Sequence, residues 1–499
     1  MKLIFAISIV ALSFFGTACR RSVGEMILVP MPQEATFTGG YFETDSARFV
    51  ERAGDGYVAC RIDPSAPEIR PEGYRLKVTR RGIDLTALDS AGLFYGRQTL
   101  CLLATAQGIP CVEIIDNPCF GYRGIHLDVS RHFFPVETIF RLLDEMARYK
   151  LNKFHFHLAD NGGWRIRIDA YPLLTRLGAF RTESDWLEWW SYGDRHYVPE
   201  DTPGAYGGYY TKEEIRRIVA YAAERFIEVI PEIEFPGHSD EVFAAYPELC
   251  CSGRAYTSGE FCVGNPLSLK FMDEVLTEVL ELFPSKYIHI GGDECPKARW
   301  KECPLCQRRM KENGLKNEEE LQSYFMQRIE KWLNDHGRNI IGWDEILQGG
   351  ISKTATVMSW RGSKGGIAAA KAGNTVIMAP NTHCYLDYRQ TRQQEFEPLG
   401  QVKYLPMRQV YALDPYEQLT PDERKYILGV QGNLWTEYIP DFRQVKHMLL
   451  PRLAAIAETG WAYDRKDFED FSRRMRQFRK VYDRAGYNYA TYFFDGKDE

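Results

Sequence analysis

The 499-residue chain has little net charge and no long hydrophobic run beyond its N-terminus. Lys and Arg number 62 and Asp and Glu number 68, so the formal net charge is −6. This balance gives no support for a nucleic-acid partner, because such proteins present a basic surface to the phosphates. No internal stretch approaches the ~18 uncharged apolar residues of a membrane helix. Apolar residues make up 44% of the chain, which is ordinary for a globular protein and excludes wholesale disorder.

The N-terminus has the pattern of an export signal. Met1-Lys2 is followed by an apolar run from Leu3 to Phe15 and by small residues before Cys19. A basic start, a short apolar run and a small-residue cleavage site define a secretory signal. We expect residues 1–18 to be removed and Cys19 to become the lipidated first residue of an exported, membrane-anchored lipoprotein. Gly16 departs from the lipoprotein pattern, so plain secretion and an uncleaved anchor are the alternatives.

Cysteine occurs at 12 positions, but a complete disulfide framework is not indicated. Setting Cys19 aside leaves 11, an odd number. Cys303-Pro-Leu-Cys306, with Cys295 nearby, is compatible with a metal site, a local disulfide or free thiols. One CxxC without a second pair is weak support for zinc. The sequence therefore predicts no metal and no cofactor.

The pattern of apolar and polar residues differs between two parts of the chain, which predicts two domains. Residues 25–115 contain short alternating segments and one helical pattern at 91–103, typical of a small α+β domain. From 120 to 485, β-rich runs alternate with amphipathic helices such as 136–149, 212–224, 266–283 and 317–336. The eight predicted strands begin at Gly124, Lys153, Phe226, Tyr287, Asn339, Thr356, Thr375 and Ile427. Eight βα units favour an α/β fold of the TIM (β/α)8 barrel type over a doubly wound sheet.

Polar and aromatic side chains follow the predicted strands. The active site of a TIM barrel is formed at the C-terminal ends of its strands. The residues found there are Asp128, Arg131, His157, Asp160, Glu232, Glu234, His238, Asp293, Glu294, Trp343, Trp360, Tyr385, Asp387, Trp435 and Glu437. Carboxylates and N–H donors suit sugar hydroxyls, and indole faces suit the apolar faces of a pyranose. The sequence therefore predicts a carbohydrate site.

The most specific segment is His289-Ile-Gly-Gly-Asp-Glu294. Neighbouring residues of a strand point to opposite faces, so Asp293 and Glu294 serve one ligand only if the backbone turns after the strand. Gly291-Gly292 permits this turn. Two close carboxyl groups separate in pKa, so that one stays protonated as a general acid while the other stays ionised. A helix N-cap followed by a first-turn acid is the alternative explanation.

Eight stretches in a fixed order make the chain resemble the glycoside hydrolase family 20 β-N-acetylhexosaminidases over roughly residues 25–480. The stretches are 121–135, 154–160, 231–238, 289–294, 341–345, 359–361, 385–387 and 434–437. The resemblance implies an exo-acting enzyme that removes terminal β-linked GlcNAc or GalNAc from a glycan. It also implies a retaining, substrate-assisted mechanism in which the 2-acetamido carbonyl attacks the anomeric carbon and forms an oxazolinium ion.

The resemblance also implies residue roles. Glu294 is the general acid and base, Asp293 orients the acetamido group and stabilises its charge, and Tyr385 donates to the acetamido oxygen. The implied sugar-binding residues are Trp343, Trp360 and Trp435 around the ring, Arg131, Glu437 and Asp387 at the hydroxyls, and Asp160 and His238 in support of Glu294.

Two segments depart from the family pattern. Residues 159–164, after the second strand, are less polar than usual, although Asp160 and Trp164 are kept. Residues 183–209 resemble an insertion, and they carry Trp186, Trp189, Trp190, Tyr192 and Tyr197. This second segment either extends the site toward the aglycone or forms a packed surface lobe.

Three other functions are compatible with parts of the sequence. A disaccharide-releasing enzyme of the same family, similar to lacto-N-biosidase, would share the site residues. A non-catalytic glycan-binding lipoprotein would share the fold. A metal-dependent amidohydrolase would use His155 and His157 with His238 as a third ligand, but its HxH pair would belong on the first barrel strand. The sequence leaves the choice between GlcNAc and GalNAc, the natural glycan and the oligomeric state open.

Overall fold

The computed structural model describes residues 27–45, 48–49, 56–393, 395 and 397–498. The predicted signal segment 1–18 and Cys19 lie outside these residues, so export and lipidation stay predictions. Among the described residues, no helix combines the length and the apolar composition that are needed to cross a bilayer.

The N-terminal part of the described chain is a five-stranded sheet with one helix on it. Its elements are β1 (Glu34–Phe42), β2 (Val58–Ile62), β3 (Tyr74–Thr79), β4 (Gly82–Ala87), α1 (Ser90–Leu103) and β5 (Ile109–Asp116). The strand order is β1-β5-β3-β4-β2. Along β3, buried Tyr74, Leu76 and Val78 alternate with polar residues and form a core with α1. This is the small α+β unit that the alternating segments predict.

Eight parallel strands then close into a barrel. They are β6 (Tyr122–Asp128), β7 (Lys153–His157), β8 (Glu228–Phe235), β9 (Tyr287–Gly291), β10 (Asn339–Trp343), β11 (Thr356–Ser359), β12 (Val376–Met378) and β13 (Ile427–Leu434). Closure comes from β13 pairing with β6, where Gly429 lies opposite Tyr122. A Cβ at Gly429 would lie 1.8 Å from the Tyr122 carbonyl oxygen, so only glycine allows this approach. The predicted barrel is confirmed, with all eight strands near their predicted positions.

Helices surround the barrel and cover the outer faces of its strands. The longer ones are Val136–Arg148, Lys212–Ala223, Pro266–Leu282, Pro304–Asn313, Glu318–Asp335, Lys364–Ala372, Phe442–Leu449, Leu453–Ala462 and Phe468–Arg484. The shorter ones are Leu173–Arg176, Asp240–Ala245, Ala298–Glu302, Asn381–Cys384, Met407–Tyr411, Pro421–Arg424 and Tyr492–Asp495. The helix that starts at Lys212 illustrates how the sequence sets a boundary, because Thr211 and Glu214 form a reciprocal capping box at its first turn.

Buried Asp116, at the end of β5, joins the N-terminal sheet to the barrel. Its carboxylate lies 2.8 Å from the Lys150 Nζ and accepts hydrogen bonds from the Tyr74 hydroxyl at 2.7 Å and the Trp461 indole N–H at 2.8 Å. Lys150 is 2% exposed, and its burial lowers the pKa of the ammonium group although Asp116 opposes that shift. A charge buried this deeply is tolerated only with its partner in place.

We predict that Asp116→Ala lowers the free energy of unfolding by roughly 3–5 kcal/mol, because it leaves the Lys150 ammonium buried and unpaired. Urea unfolding followed by tryptophan fluorescence measures the loss. Asp84→Ala, at an exposed position of β4, is the matched control and should change stability little. The double variant Asp116→Ala with Lys150→Met removes both charges and should recover part of the loss. A loss as small as that of the control would contradict the role of this ion pair.

Candidate active site

The strand ends surround a cavity of about 230 Å³ at one mouth of the barrel. All eleven predicted site residues line it, namely Arg131, Asp160, His238, Asp293, Glu294, Trp343, Trp360, Tyr385, Asp387, Trp435 and Glu437. Four further residues that sequence reasoning missed complete its rim, namely Tyr388, Gln401, Val402 and Lys403. These four lie on a small two-stranded sheet, Tyr388–Arg389 with Gln401–Tyr404, inside the long connection after β12. They lie 10 to 25 residues beyond the end of β12, so reasoning from the residues next to a strand end does not reach them.

Arg131 is held at one wall of the cavity by carboxylates from three connections. Its guanidinium donates to Asp128 at 3.1 Å, contacts Asp160 at 2.8 Å and lies 4.0 Å from Glu437. The guanidinium carbon is 5.2 Å from the centre of a Trp435 ring, which is within cation–π distance. Arg131 is therefore locked in one orientation, with its charge balanced before any ligand enters.

Asp160 contacts three positively charged or ionisable side chains at this wall. Besides Arg131, it accepts a hydrogen bond from the His157 Nε2 at 2.9 Å and lies 3.1 Å from the His238 Nδ1. Burial disfavours a charge on Asp160, but the positive charges of Arg131 and His238 outweigh burial and hold the pKa of its carboxyl well below the usual range. Asp160 therefore stays ionised and links the loops after β6, β7 and β8.

Below Asp160, the barrel interior contains a second buried carboxylate, Glu232. Its oxygens contact His157, lie 2.9 Å from the His155 Nε2 and 2.7 Å from the His289 Nδ1, and accept a hydrogen bond from the Trp343 indole at 2.9 Å. The sequence places Glu232 at a strand end but assigns it no role. The HxH pair thus faces Glu232, whereas His238 contacts Asp160 and the carboxyl pair at the barrel mouth.

The interior histidines differ in protonation. Burial opposes the charge of His157, but Glu232 and Asp160 outweigh burial and raise its pKa to about 10. Burial dominates for His155 and lowers its pKa to about 4. Glu232 is also buried, yet the neighbouring histidines hold the pKa of its carboxyl well below the usual range. The interior therefore holds one ion pair, His157 with Glu232, beside a neutral His155.

After β9 the backbone turns as the two glycines predict. Gly291 and Gly292 have φ of +66° and +98°, and Glu294 itself has φ of +45°. A Cβ at Gly291 would lie 1.7 Å from a Glu234 carboxylate oxygen, and the positive φ at this position also favours glycine. The turn brings the carboxylates of Asp293 and Glu294 to 3.6 and 3.5 Å from the His238 Nε2. The next helix starts only at Ala298, so the pair is not a helix N-cap.

The pKa values of Asp293 and Glu294 differ, but the order is opposite to the one expected if Glu294 is the protonated acid. In the free protein the pKa of Asp293 is raised and that of Glu294 is lowered. Asp293 is 7% exposed, and burial raises its pKa to about 6 although His238 opposes the shift. The Glu294 side chain is 58% exposed, and its contact with His238 lowers its pKa. In the free protein Glu294 is hydrated and faces an imidazolium, because Asp160 and the carboxyl pair raise the pKa of His238 well above its usual value despite burial. A ligand that covers Glu294 removes this water and shifts its pKa upward.

Aromatic side chains form the floor and the opposite wall. Trp343 and Trp435 have ring centres 5.9 Å apart, and Trp360 lies nearly parallel to Tyr385 at 6.1 Å. The Trp343 and Trp360 indoles donate to Glu232 and Glu345, both at 2.9 Å. Because carboxylates fix the edges of these two indoles, their faces are held for an apolar ligand surface.

Two carboxylates of the cavity, the buried Asp387 and the partly buried Glu437, have unused acceptor atoms. Among the described residues, Asp387 Oδ1 and Glu437 Oε2 have no hydrogen-bond partner. Burial, followed by the charge of Glu437, raises the pKa of Asp387 well above its usual value, and burial raises that of Glu437 although Arg131 opposes it. Buried polar atoms in native proteins normally have partners, so these two are suited to donors from a ligand, such as hydroxyl groups.

The aromatic residues at 183–209 form a packed lobe outside the cavity. Trp186, Trp189 and Tyr197 are buried against one another, and neither these three nor Trp190 and Tyr192 line the cavity. The Tyr197 hydroxyl accepts a hydrogen bond from the Gly162 N–H at 2.9 Å. The lobe therefore supports the loop that carries Asp160, and of the two interpretations the packed lobe is the one that the geometry favours.

Comparison with known proteins places these features in one family. Models of the "Glycosyl hydrolase family 20, catalytic domain" and of its "domain 2" match residues 120–464 and 46–117. The chain is 45% identical to a "Beta-hexosaminidase" of Porphyromonas gingivalis, over 86% of this chain and 56% of that protein. It is 34% identical to a "Beta-hexosaminidase" of Akkermansia muciniphila, over 84% of this chain and 85% of that protein. The chain thus spans little more than half the length of the Porphyromonas relative.

Solved structures agree with these matches. The structure of an exo β-N-acetylglucosaminidase from Vibrio harveyi in complex with N-acetylglucosamine superposes with a TM-score of 0.82 at 31% identity, over 93% of this chain and 78% of that chain. A β-N-acetylhexosaminidase from Bacteroides fragilis superposes with a TM-score of 0.78 at 29% identity, over 93% of this chain and 96% of that chain.

We predict that the ion pair of His157 with Glu232 makes stability depend on pH. The pKa of His157 rises from its ordinary 6.5 to about 10 on folding. Its contribution is therefore complete below pH 6.5 and is lost as the pH rises toward 10, since the unfolded chain releases the proton first. The difference in unfolding free energy between the wild type and His157→Gln should shrink across this range. His336→Gln, at an exposed position, is the control. A difference that stays constant with pH would contradict the ion pair.

Proposed function

The chain belongs to glycosyl hydrolase family 20, and we propose that it is an exo-acting β-N-acetylhexosaminidase that cleaves terminal, non-reducing β-linked N-acetylhexosamine from glycans. The observation that carries the proposal is the cavity in which the Asp293 and Glu294 pair faces Tyr385 and three tryptophans. The relatives named beta-hexosaminidases and the Vibrio harveyi structure in complex with N-acetylglucosamine support it.

The size of the cavity favours release of one sugar at a time. Its volume of about 230 Å³ lies below the roughly 300–1,000 Å³ of pockets that enclose drug-sized ligands. One N-acetylhexosamine ring fills such a space, whereas a disaccharide-releasing enzyme must also enclose a second ring. We therefore favour the exo-acting enzyme over the disaccharide-releasing alternative.

In the first step, the substrate's own acetamido group is the nucleophile. Asp293, ionised above its pKa of about 6, accepts the acetamido N–H, and the Tyr385 hydroxyl donates to the acetamido oxygen. That oxygen forms a bond to the anomeric carbon while the glycosidic C–O bond breaks. Asp293 and Tyr385 are buried. Because little water surrounds them, the Asp293 carboxylate stabilises the positive charge of the oxazolinium ion more strongly than it would in bulk water.

Glu294 transfers the proton in both steps. The leaving sugar covers its side chain, which is 58% exposed in the free protein, and this desolvation brings the pKa up to the range of a general acid. The proton passes to the glycosidic oxygen as the bond breaks. Water then enters, gives a proton to the Glu294 carboxylate and bonds to the anomeric carbon, which opens the oxazolinium ring with net retention.

The other cavity residues hold the ring. The unpaired acceptors of Asp387 and Glu437 accept hydrogen bonds from sugar hydroxyls, and Arg131 donates beside them. Trp343 and Trp435 contact the apolar face of the ring, and Trp360 closes the side next to Tyr385. This division leaves a carboxyl pair positioned for chemistry, which a purely glycan-binding protein does not need.

We predict that Glu294→Gln slows hydrolysis of N,N′-diacetylchitobiose by about 10²- to 10⁴-fold, the range expected for loss of a general acid. The loss on p-nitrophenyl β-GlcNAc should be smaller, because p-nitrophenolate leaves with little help from a proton. Measured kcat/KM values on both substrates test this difference.

The control for this experiment is Glu302→Gln, at an exposed position of the helix Ala298–Glu302, and it should retain wild-type rates. An equal loss on both substrates would assign Glu294 a role other than proton donor. Full activity of Glu294→Gln would refute the mechanism.

We also predict an acidic limb near pH 6 in the profile of kcat/KM for p-nitrophenyl β-GlcNAc, because its leaving group needs little proton donation from Glu294, whereas Asp293 must be ionised and its pKa is about 6. The cation of His238 lowers this pKa, so His238→Asn should move the limb to higher pH as well as reduce the rate. Rates between pH 4 and 8 on p-nitrophenyl β-GlcNAc measure both effects. A limb that moves to lower pH in the variant would contradict the assignment to Asp293.

A further inference from the structure

Four cysteines from distant parts of the sequence meet beside the active-site loops. Cys251 and Cys262 lie in the connection after β8, and Cys303 and Cys306 lie in the connection after β9. Their four sulfur atoms are all within 4.8 Å of one another. Cys262, Cys303 and Cys306 are buried, and Cys251 is partly buried. The proposed function uses none of the four.

The spacing of the sulfur atoms fits a metal-centred tetrahedron. Cys251 and Cys306 are 3.8 Å apart, Cys262 and Cys303 are 3.6 Å apart, and Cys262 and Cys306 are 3.8 Å apart. Bonded disulfide sulfurs are separated by about 2.05 Å. Four thiolates at the usual Zn–S distance of about 2.3 Å occupy tetrahedron corners that are about 3.8 Å apart. The three sulfur–sulfur separations match these edges.

The local fold prepares the cysteines for this arrangement. Cys303 is the N-cap of the helix Pro304–Asn313, and Cys306 is in its first turn, where the helix dipole favours negatively charged thiolates. Gly264 lets the segment that carries Cys262 approach this helix, because a Cβ there would lie 2.2 Å from the Leu305 carbonyl carbon.

We infer that Cys251, Cys262, Cys303 and Cys306 bind one structural zinc ion. Four thiolates complete a tetrahedral shell and leave no position for substrate, which is typical of structural rather than catalytic zinc. Soft sulfur ligands in this geometry select zinc over magnesium or calcium. Cys295, which the sequence places near the CxxC pair, is buried but is not part of this group of four.

The ion would join the two loops that carry the carboxyl pair and its histidine. The Phe261 N–H, next to Cys262, donates to the Pro236 carbonyl at 2.8 Å, and Pro236 precedes His238 by two residues. The Trp300 indole, three residues before Cys303, donates to the Phe261 carbonyl at 2.9 Å. Zinc at the cysteines therefore cross-links the connection that holds His238 to the one that holds Glu294.

The test is metal analysis of the full chain, purified without chelators, reductants or a histidine tag. We expect about one zinc per chain by inductively coupled plasma mass spectrometry, and no disulfide among the four cysteines by mass spectrometry after alkylation under denaturing conditions. Replacement of zinc by Co²⁺ should give the strong sulfur-to-cobalt absorption of a tetrahedral thiolate site. These measurements use the wild-type protein, so they do not depend on the folding of a variant or on enzymatic activity.

The variant pair Cys303→Ser with Cys306→Ser should reduce the zinc content by at least about tenfold and lower the Tm. Cys101→Ser, on α1 and outside the cluster, is the control and should keep both at the wild-type level. Metal-free wild-type protein, with either two disulfides or four free thiols at these positions, would overturn the inference. Stoichiometric iron in place of zinc would overturn the identity of the ion.

Discussion

The charge balance around buried Asp160 is the constraint on which the site depends. One carboxylate contacts Arg131 from the loop after β6, His157 at the end of β7 and His238 from the loop after β8. Each of these groups would be costly to bury alone. Together they fix three loops of the barrel in one arrangement, with Arg131 near Glu437 and His238 near the carboxyl pair.

The charged contacts of Asp160 extend to further residues in the barrel interior and at the barrel mouth. Glu232 pairs with His157 below Asp160 and also fixes the edge of the Trp343 indole. Above Asp160, the His238 imidazolium faces both Asp293 and Glu294. The aromatic floor and the carboxyl pair are thus connected through one series of charged contacts. A change at any member alters both the shape of the cavity and the protonation of the carboxyl pair.

Much of this arrangement is predictable from the sequence, for physical reasons that particular residues make clear. Apolar runs with helices between them locate the eight strands, and the strand-end rule then collects Arg131, Asp293 and Trp435 into one site. The rule does not reach Lys403, which lies 25 residues beyond the end of β12. It also does not join Cys251 to Cys306, because only the folded loops bring them together. The strand-end rule also does not predict which of Asp293 and Glu294 has the higher pKa, because that depends on which side chain is exposed to water.

We propose that the substrate's acetamido carbonyl, held by Asp293 and Tyr385, is the nucleophile. The most direct test is kcat/KM for p-nitrophenyl β-GlcNAc substrates whose acetyl methyl group carries zero, one, two or three fluorines. Fluorine withdraws electrons from the carbonyl oxygen and weakens it as a nucleophile without removing its contacts. The mechanism predicts a steep fall in kcat/KM with each added fluorine. Rates that do not change along the series would contradict it and would indicate attack by a carboxylate of the protein.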